Sequence, residues 1–227
     1  MRDERAESHV ARALGYEFTA PALLREALTH RSAGAANNER LEFLGDALLN
    51  SVVGIELFLR KPQAPEGELS RLRAALVRGE TLAAIGRELG VGNALLLGEG
   101  ERKSGGHRRD SIIADAVEAL VGAVFLDSDF ETVRRLIVNL FQARLEDLPS
   151  ADELKDPKTR LQEYLQRRRQ TPPDYDVVAV TGADHARRYT VSCRVAALDL
   201  EHTATGTSRR KAEQQAAQAC LDALQGG

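Results

Sequence analysis

The chain has 227 residues, a length at which one large domain or two modest domains are expected. Apolar residues make up 43% and charged residues 29%, a globular balance that excludes a largely disordered chain. No uncharged stretch approaches the roughly 20 residues of a membrane-spanning helix, and the start of the chain is too charged for a secretory signal. Two cysteines, Cys193 and Cys220, are too few for a disulfide framework, so we expect a cytoplasmic protein without membrane contact.

The formal net charge of −3 conceals a difference between the two parts of the chain. Residues 1–150 hold 19 Lys and Arg against 23 Asp and Glu, whereas residues 151–227 hold 12 against 11. The basic residues of the second part are bunched rather than spread. A nearly neutral total therefore leaves room for a local basic surface that could bind nucleic acid.

Helical periodicity continues almost without interruption from Glu4 to about Leu148. Apolar residues recur at helical spacing after Pro21, a favourable residue for the first turn of a helix. Further helical segments are predicted over residues 41–59, 69–77, 82–89, 112–126 and 133–145. No segment alternates with the period of a strand for long enough, so we predict an all-α domain over residues 1–148.

The pattern changes after a predicted linker at residues 149–155, which begins with the helix breaker Pro149. Asp156 and Pro157 open a helix that continues to about Arg169. Three segments rich in β-branched residues then predict strands at 175–180, 189–195 and 198–205, and Ser208 starts a final helix. We therefore predict a small α+β domain of order α-β-β-β-α over residues 156–227.

Three carboxylates lie on one face of the helix predicted over residues 41–59, if that helix begins a few residues earlier. Glu39, Glu42 and Asp46 fall within roughly 60° of one another at the helical repeat. Most of the surrounding helix is apolar, which is typical of a buried helix. Buried carboxylates that lie together need protons or a cation, although a solvated helix face could carry the same spacing.

A second apolar helix repeats this arrangement with Asp115 and Glu118, three residues apart. Two such helices packed together would gather four or five carboxylates. A set of oxygen donors without His or Cys favours Mg²⁺ or Mn²⁺ over zinc and argues against a di-iron bundle. Buried acids paired with arginines are the alternative that the residues leave open.

The segment Asn38-Glu-Arg-Leu-Glu-Phe-Leu-Gly-Asp46 resembles the signature of the ribonuclease III endonuclease domain. Residues 14–18, 27–32 and 111–120 resemble other landmarks of this family in the expected order, so the resemblance extends over nearly the whole chain. It implies the metal ligands Glu42, Asp46, Asp115 and Glu118, with Asp46 and Glu118 also catalytic. It further implies assisting catalytic acids at Glu39 and Glu66, although a solvated loop would explain Glu66 equally well.

The final helix begins with three bases, Arg209, Arg210 and Lys211. The helix dipole disfavours cations in a first turn, so this arrangement lowers helix stability unless an anion binds there. A solvated basic cluster is the alternative interpretation. The bases thus mark a candidate site for phosphate groups.

The α-β-β-β-α order with this basic helix start resembles a double-stranded-RNA-binding domain. The resemblance implies that Thr159, Gln162 and Glu163 contact one minor groove and that His185 contacts a second. It implies phosphate contacts by Arg209, Arg210 and Lys211. Such contacts recognise the shape of an A-form duplex and its 2′-hydroxyl groups. Two departures from the general module are Glu213, where a lysine is common, and residues 182–184, where a proline is usual.

Together these resemblances imply a Mg²⁺-dependent endoribonuclease, with Mn²⁺ able to substitute and no other small-molecule cofactor. It would cut double-stranded RNA, leaving 5′-phosphate and 3′-hydroxyl ends with short 3′ overhangs, and process ribosomal precursors and mRNA. The family also implies a homodimer with Phe43 at its interface. The alternatives are a non-catalytic dimeric double-stranded-RNA-binding protein and a protein-interaction scaffold that holds a structural cation.

Overall fold

A computed structural model describes residues 2–149, 155–183 and 186–225. The chain divides into two compact units, Met1–Pro149 and Ser150–Gly227. The predicted linker lies mostly outside the described residues, because positions 150–154 are not among them. Within the described residues, no helix is both long enough and apolar enough to cross a membrane.

The first unit is helical, as the periodicity predicts. Its described helices are α1 (Arg2–Leu14), α2 (Pro21–Ala27), α3 (Glu39–Arg60), α4 (Glu66–Leu76), α5 (Gly79–Glu88), α6 (Val91–Ala94), α7 (Glu99–Lys103), α8 (Asp110–Asp127) and α9 (Phe130–Glu146). The short helices α6 and α7 lie between the segments predicted at 82–89 and 112–126, in a part of the chain that turns at Gly90 and Gly105, both at positive φ. A bridge between Thr29 and Leu96 is the one backbone pairing of strand type in this described unit.

Helix α8 lies at the centre of the first unit. Eleven of its eighteen residues are buried, as expected for a helix that is apolar around most of its circumference. Helices α3 and α5 pack most extensively against it, and α2 and α9 also contact it. The two helices with the predicted carboxylates, α3 and α8, are therefore direct neighbours.

Two glycines allow α3 and α8 to approach closely. A Cβ atom at Gly45 would lie 1.8 Å from the carbonyl oxygen of Glu118, and one at Gly122 would lie 2.3 Å from that of Leu41. Because any larger residue would collide with backbone at these points, the glycines determine the distance between the helices. That distance places the side chains of one helix within reach of those of the other.

The second unit has the predicted α-β-β-β-α order. Its elements are α10 (Pro157–Arg167), β1 (Asp174–Thr181), β2 (Arg188–Val195), β3 (Leu200–Gly206) and α11 (Arg209–Gln225). The strands form an antiparallel sheet in the order β1-β2-β3. Strand β3 begins two residues later than predicted, because a 3₁₀ turn at Ala196–Leu198 and the left-handed residue Asp199 separate it from β2.

The core of the second unit lies between the helices and one face of the sheet. It is formed by Leu161, Leu165, Cys193, Val195, Ala216, Ala217, Cys220 and Leu221. Asp156 caps α10 by accepting a hydrogen bond from the Lys158 amide at 2.9 Å, and Ser208 accepts one from the Lys211 amide at 3.2 Å. These caps determine where the two helices begin, and with them the positions of the polar side chains in their first turns.

Candidate metal centre and RNA-binding surface

Three of the predicted carboxylates converge where α3 packs against α8. One carboxylate oxygen from each of Glu42, Asp115 and Glu118 lies within 4.8 Å of the other two. All three residues are partly buried, and no Lys, Arg or His among the described residues forms an ion pair with them. Oxygen donors at this spacing are suited to a hard divalent cation.

Burial and mutual repulsion shift the pKa values of these acids upward. Burial, followed by the charges of Asp46, Glu42 and Asp115, raises the pKa of Glu118 to about 8. Burial and then Asp115 and Glu39 raise the pKa of Glu42. Burial also raises the pKa of Asp115, with His30 and Arg31 opposing it. The site therefore stabilises positive charge, either protons or a cation.

Another buried acid of the first unit, Glu56, is paired with arginines. Glu56 on α3 is 7% exposed, and its carboxylate lies 2.8 Å from Arg134 and 3.5 Å from Arg60. The alternative of arginine-paired acids thus describes Glu56, whereas the three-carboxylate cluster has no such partners among the described residues. This contrast favours a bound cation at the cluster.

The fourth predicted ligand, Asp46, lies one helical turn beyond Glu42 and outside the three-residue cluster. Its Oδ1 accepts a hydrogen bond from the Asn50 amide at 2.8 Å, and its side chain is exposed. It nevertheless lies close enough to raise the pKa of Glu118. The structure therefore places Asp46 beside the cluster, held by a neighbour that the sequence analysis did not single out.

The two predicted assisting acids occupy different surroundings. Glu39 is exposed, lies 3.7 Å from Arg31, and lines a cleft of about 490 Å³ that also includes Glu42 and Asp115. Glu66 is exposed at the start of α4, accepts a hydrogen bond from the Ser70 hydroxyl at 2.7 Å, and is not among the cleft residues. The geometry thus brings Glu39, but not Glu66, next to the cluster.

Several cleft residues were not singled out as candidates from the sequence. They are His30, Arg31, Ser32, Asn38, Glu101, Arg109 and Ser111. Ser32 Oγ accepts a hydrogen bond from the Gly98 amide at 3.0 Å, which joins the turn at Arg31–Ala33 to the start of α7. The resemblance of residues 27–32 to a landmark of the family was a signal that this loop belongs to the site. Helical periodicity alone does not indicate that the loop lies beside the acids.

The predicted RNA-binding residues that the structure describes lie on α10 and in the first turn of α11. Thr159 and Gln162 are exposed on α10, whereas Glu163 is partly buried and lies 2.7 Å from Lys155. Arg209, Arg210 and Lys211 are exposed in the first turn of α11. The remaining prediction, His185, lies outside the described residues.

A basic cleft of about 960 Å³ adjoins the first turn of α11. Its lining includes Arg187 and Arg188, just before and at the start of β2, together with Arg209. Neither Arg187 nor Arg188 was a candidate from the sequence, because both lie outside the basic run at the start of the final helix. The cleft extends the positive surface beyond the three predicted bases.

The fold and the acidic cluster together describe a helical nuclease unit followed by an RNA-binding unit, and comparisons with known proteins agree. Residues 20–145 match the Ribonuclease-III-like family, and residues 157–224 match the double-stranded RNA binding motif. Because the first match covers more than half of the chain, the protein belongs to the ribonuclease III family and is an endoribonuclease of that type.

Individual relatives are similar over nearly their whole length. Ribonuclease 3 of Vibrio vulnificus (strain YJ016) is 54% identical over 218 residues, 96% of this chain and 97% of the relative. Ribonuclease 3 of Vibrio cholerae is 54% identical over 214 residues, 94% and 95% of the two chains. The nuclease domain of ribonuclease III from Campylobacter jejuni has a TM-score of 0.60 at 41% identity, covering 61% of this chain and 98% of that one.

The raised pKa of Glu118 predicts that metal binding releases protons. In the unfolded chain this carboxyl has its ordinary pKa of 4.5, whereas in the folded metal-free protein the pKa is about 8. The folded state therefore binds more protons between these values, and the free energy of unfolding falls as the pH rises through this window. A divalent cation replaces the proton, so we expect about one proton to be released per ion bound at pH 7.

Calorimetric titration with Mn²⁺ at pH 7, in two buffers of different ionisation enthalpy, measures this release. The observed heats should differ between buffers in proportion to the protons transferred. The Glu118→Gln variant has no such proton and should show a smaller difference. Identical heats in both buffers for the unaltered protein would contradict a protonated Glu118.

Proposed function

We propose that this endoribonuclease uses Mg²⁺ to hydrolyse phosphodiester bonds in double-stranded RNA, leaving 5′-phosphate and 3′-hydroxyl ends with short 3′ overhangs. The observation that carries the proposal is the convergence of Glu42, Asp115 and Glu118 within 4.8 Å, without an ion pair to a base among the described residues. An all-oxygen donor set fits Mg²⁺, and Mn²⁺ is expected to substitute for it.

Each acid has a distinct part in the proposed site. Glu42, Asp115 and Glu118 hold the cation, and Asp46 adds a fourth carboxylate oriented by the Asn50 amide. When bound, a divalent cation supplies an acidified water and neutralises charge on the phosphate. Without it, the acids would repel an RNA phosphate, so the protein without metal should not cut.

Two further acids are proposed to assist at the cleavage site. Glu39 lies in the same cleft as Glu42, close to the Arg31 guanidinium, where it can accept a proton or a hydrogen bond from the substrate. Glu66 requires substrate that extends beyond the cleft, because it lies outside the cleft residues. Its interaction with Ser70 would hold the carboxylate ready for such a contact.

We propose that the second unit holds the duplex. Thr159, Gln162 and Glu163 would contact one minor groove, and His185 a second. Arg209, Arg210 and Lys211 would bind phosphates across the intervening major groove. This division matches a module that recognises duplex shape rather than base sequence.

We also propose that the chain forms a homodimer through the exposed apolar surface that includes Phe43. This side chain is 80% exposed on α3, and Phe58 and Leu59 on the same helix are also exposed. The Campylobacter jejuni structure concerns flexibility in a region involved in dimer formation of that nuclease domain. Large exposed apolar side chains are typical of interaction sites, and sedimentation of a monomer at micromolar concentration would contradict this assembly.

The decisive experiment incubates the purified full chain with long duplex RNA, in Mg²⁺ and in excess EDTA. Single-stranded RNA and duplex DNA are the controls. We expect shortening of the duplex RNA alone, and only with Mg²⁺, and sequencing of the product ends tests the overhang. Duplex binding without cutting in Mg²⁺ would instead support the non-catalytic RNA-binding alternative.

The proposed physiological substrates are duplex regions of ribosomal precursors and mRNA in the cytoplasm. Shape recognition by the second unit does not itself select among duplexes. RNA sequencing of cells that lack the protein should show extended ribosomal precursors. Normal precursor ends in those cells would contradict this assignment while leaving the enzymatic activity untouched.

A further inference from the structure

Glu213 departs from the general RNA-binding module, and the structure shows what this acid contacts. It lies one turn into α11, with its side chain 11% exposed. Its Oε2 lies 2.5 Å from Lys158 Nζ on α10, and its Oε1 accepts a hydrogen bond from Arg209 Nε at 2.8 Å. The same Lys158 ammonium group lies 4.4 Å from the centre of the Tyr175 ring. One carboxylate thus joins bases from two different helices.

These contacts differ from an ordinary ion pair on the surface. Exposed pairs contribute little, whereas Glu213 is mostly buried although its two partners are not, so removing a partner leaves its charge less compensated. Although burial alone raises the pKa of Glu213, the hydrogen bonds from Lys158 and Arg209 outweigh it and hold this pKa below its ordinary value. Glu213 is therefore ionised at neutral pH and remains bound to both cations.

The hydrogen bond to Glu213 leaves part of Arg209 available for another anion. A guanidinium group has five N–H donors, and Glu213 accepts from the one on Nε. The side chain of Arg209 is 63% exposed, so its two terminal NH₂ groups can reach a ligand. An arginine held at Nε presents this outer edge in a defined orientation, which lowers the entropy lost when a phosphate binds.

The link through Lys158 adds a constraint between the helices. Lys158 immediately precedes Thr159 on α10, and Glu213 follows the basic first turn of α11. A second polar contact between these helices, from the Gln214 amide to Asp156 Oδ2 at 2.7 Å, lies beside the first. The two proposed groups of RNA contacts are therefore held at a fixed spacing in the free protein.

We propose that Glu213 is a positioning residue for duplex RNA binding, which orients Arg209 and couples the start of α10 to the start of α11. This inference depends on the proposed function, because it requires that the first turn of α11 contacts RNA phosphates. The acid then strengthens binding to a polyanion in spite of its own negative charge. A purely electrostatic role predicts the opposite, namely that removing the acid tightens binding.

The sign of the effect of Glu213→Gln distinguishes these roles. Fluorescence anisotropy of a labelled RNA duplex in EDTA measures affinity without cleavage. We expect the variant to bind about 3- to 10-fold more weakly, because Arg209 must be ordered on binding. The dependence of affinity on salt should also become less steep, since a misplaced arginine displaces fewer counterions.

Asp222→Asn is the matched control. It makes the same charge change in the same helix, nine residues and roughly 13 Å further along the axis. Asp222 is exposed and accepts a hydrogen bond from the Gln218 amide at 2.6 Å, but it forms no hydrogen bond or ion pair with those proposed RNA-binding residues that the structure describes. We expect unchanged or slightly tighter binding, as for any acid removed at a distance from the contacts.

Tighter binding and a steeper salt dependence for Glu213→Gln would overturn the proposal. If a thermal melt shows that this variant is unfolded, Glu213→Asp replaces it, keeping the charge on a shorter side chain that cannot reach both bases. Weaker binding by the folded Asp variant supports the proposal, and affinity equal to or above that of the unaltered protein overturns it. Failure of the unaltered protein to bind duplex RNA would instead reject the proposed function.

Cleavage kinetics provide a second measurement on the same variant. The acidic cluster lies in the first unit, so Glu213→Gln should raise KM for duplex RNA and leave kcat within about two-fold. A lowered kcat with unchanged KM would overturn a role in positioning the RNA-binding contacts.

Discussion

Glu118→Gln is expected to reduce the rate of duplex RNA cleavage in Mg²⁺ by at least about 10³-fold, while duplex affinity changes by less than about two-fold. Glu118 contributes one of the three clustered carboxylates. Its amide replacement removes a negative charge and an anionic donor from the proposed cation site. Single-turnover cleavage measures the rate, and anisotropy in EDTA measures the affinity.

The fold should tolerate this substitution, because glutamine resembles the protonated glutamic acid in shape and charge. The pKa of about 8 means that Glu118 is mostly protonated at pH 7 in the metal-free protein. We therefore expect the variant and the unaltered protein to have equal melting temperatures in EDTA at about pH 4. As the pH rises to about 8 the variant should melt at an increasingly higher temperature than the unaltered protein, because only the unaltered protein loses stability when its unfolded state releases the Glu118 proton. A large loss of stability would show that Glu118 supports the fold rather than a cation.

Glu131→Gln is the control for this experiment. It is an exposed acid in the first turn of α9, 3.6 Å from Arg134, and it lies outside the acidic cluster. The same chemical change there should leave cleavage within about two-fold, as expected for a surface position. Equal loss of activity in both variants would mean that the charge of the domain, not the cluster, supports cleavage.

Gly45→Ala is expected to destabilise the protein by about 3 kcal/mol and to abolish cleavage. The added methyl group would lie 1.8 Å from the carbonyl oxygen of Glu118. Because backbone cannot rotate away as a side chain can, α3 and α8 must move apart by roughly 1.5 Å before the contact becomes tolerable. This movement separates Glu42 from Asp115 and Glu118, so metal binding is lost as well.

Gly54→Ala provides the matched control in the same helix. A Cβ atom at Gly54 would meet Arg73 Cδ at 3.8 Å, which is an ordinary van der Waals contact. Alanine favours helix over glycine by up to about 1 kcal/mol, so this variant should be at least as stable as the unaltered protein.

Thermal unfolding should show a difference of roughly 6–12 °C between Gly45→Ala and the unaltered protein, and equal melting temperatures would contradict the close approach.

Much of the fold was predictable from local patterns. Apolar residues at helical spacing predicted the long helices, and β-branched segments predicted three strands followed by a helix. The errors lie at element ends, such as the start of β3, where the left-handed Asp199 and a 3₁₀ turn intervene, and at the short helices α6 and α7, which no predicted segment covers. Such turns depend on backbone conformation at one or two residues, which periodicity does not detect.

The composition of the candidate metal centre was also visible in the sequence, because acids on two apolar helices need a compensating charge. The sequence also indicated that four or five acids would gather if the two helices packed together, but it did not indicate which of them converge. Three acids converge because Gly45 and Gly122 allow close contact between α3 and α8, whereas Asp46 is turned toward Asn50. The loop with Arg31 joins the cleft through hydrogen bonds to segments more than sixty residues away.

The sequence by itself determined the order of the elements, the chemical nature of both candidate sites and the family resemblance. Only the tertiary structure decided which acids converge in one cluster, which are neutralised by arginines as Glu56 is, and which bases Glu213 holds. Helical periodicity assigns a side chain to one face of its helix, because the helical repeat depends only on neighbours within a few residues. Pairing between faces depends on how closely distant helices pack, and that distance is determined by contacts between residues far apart in the chain.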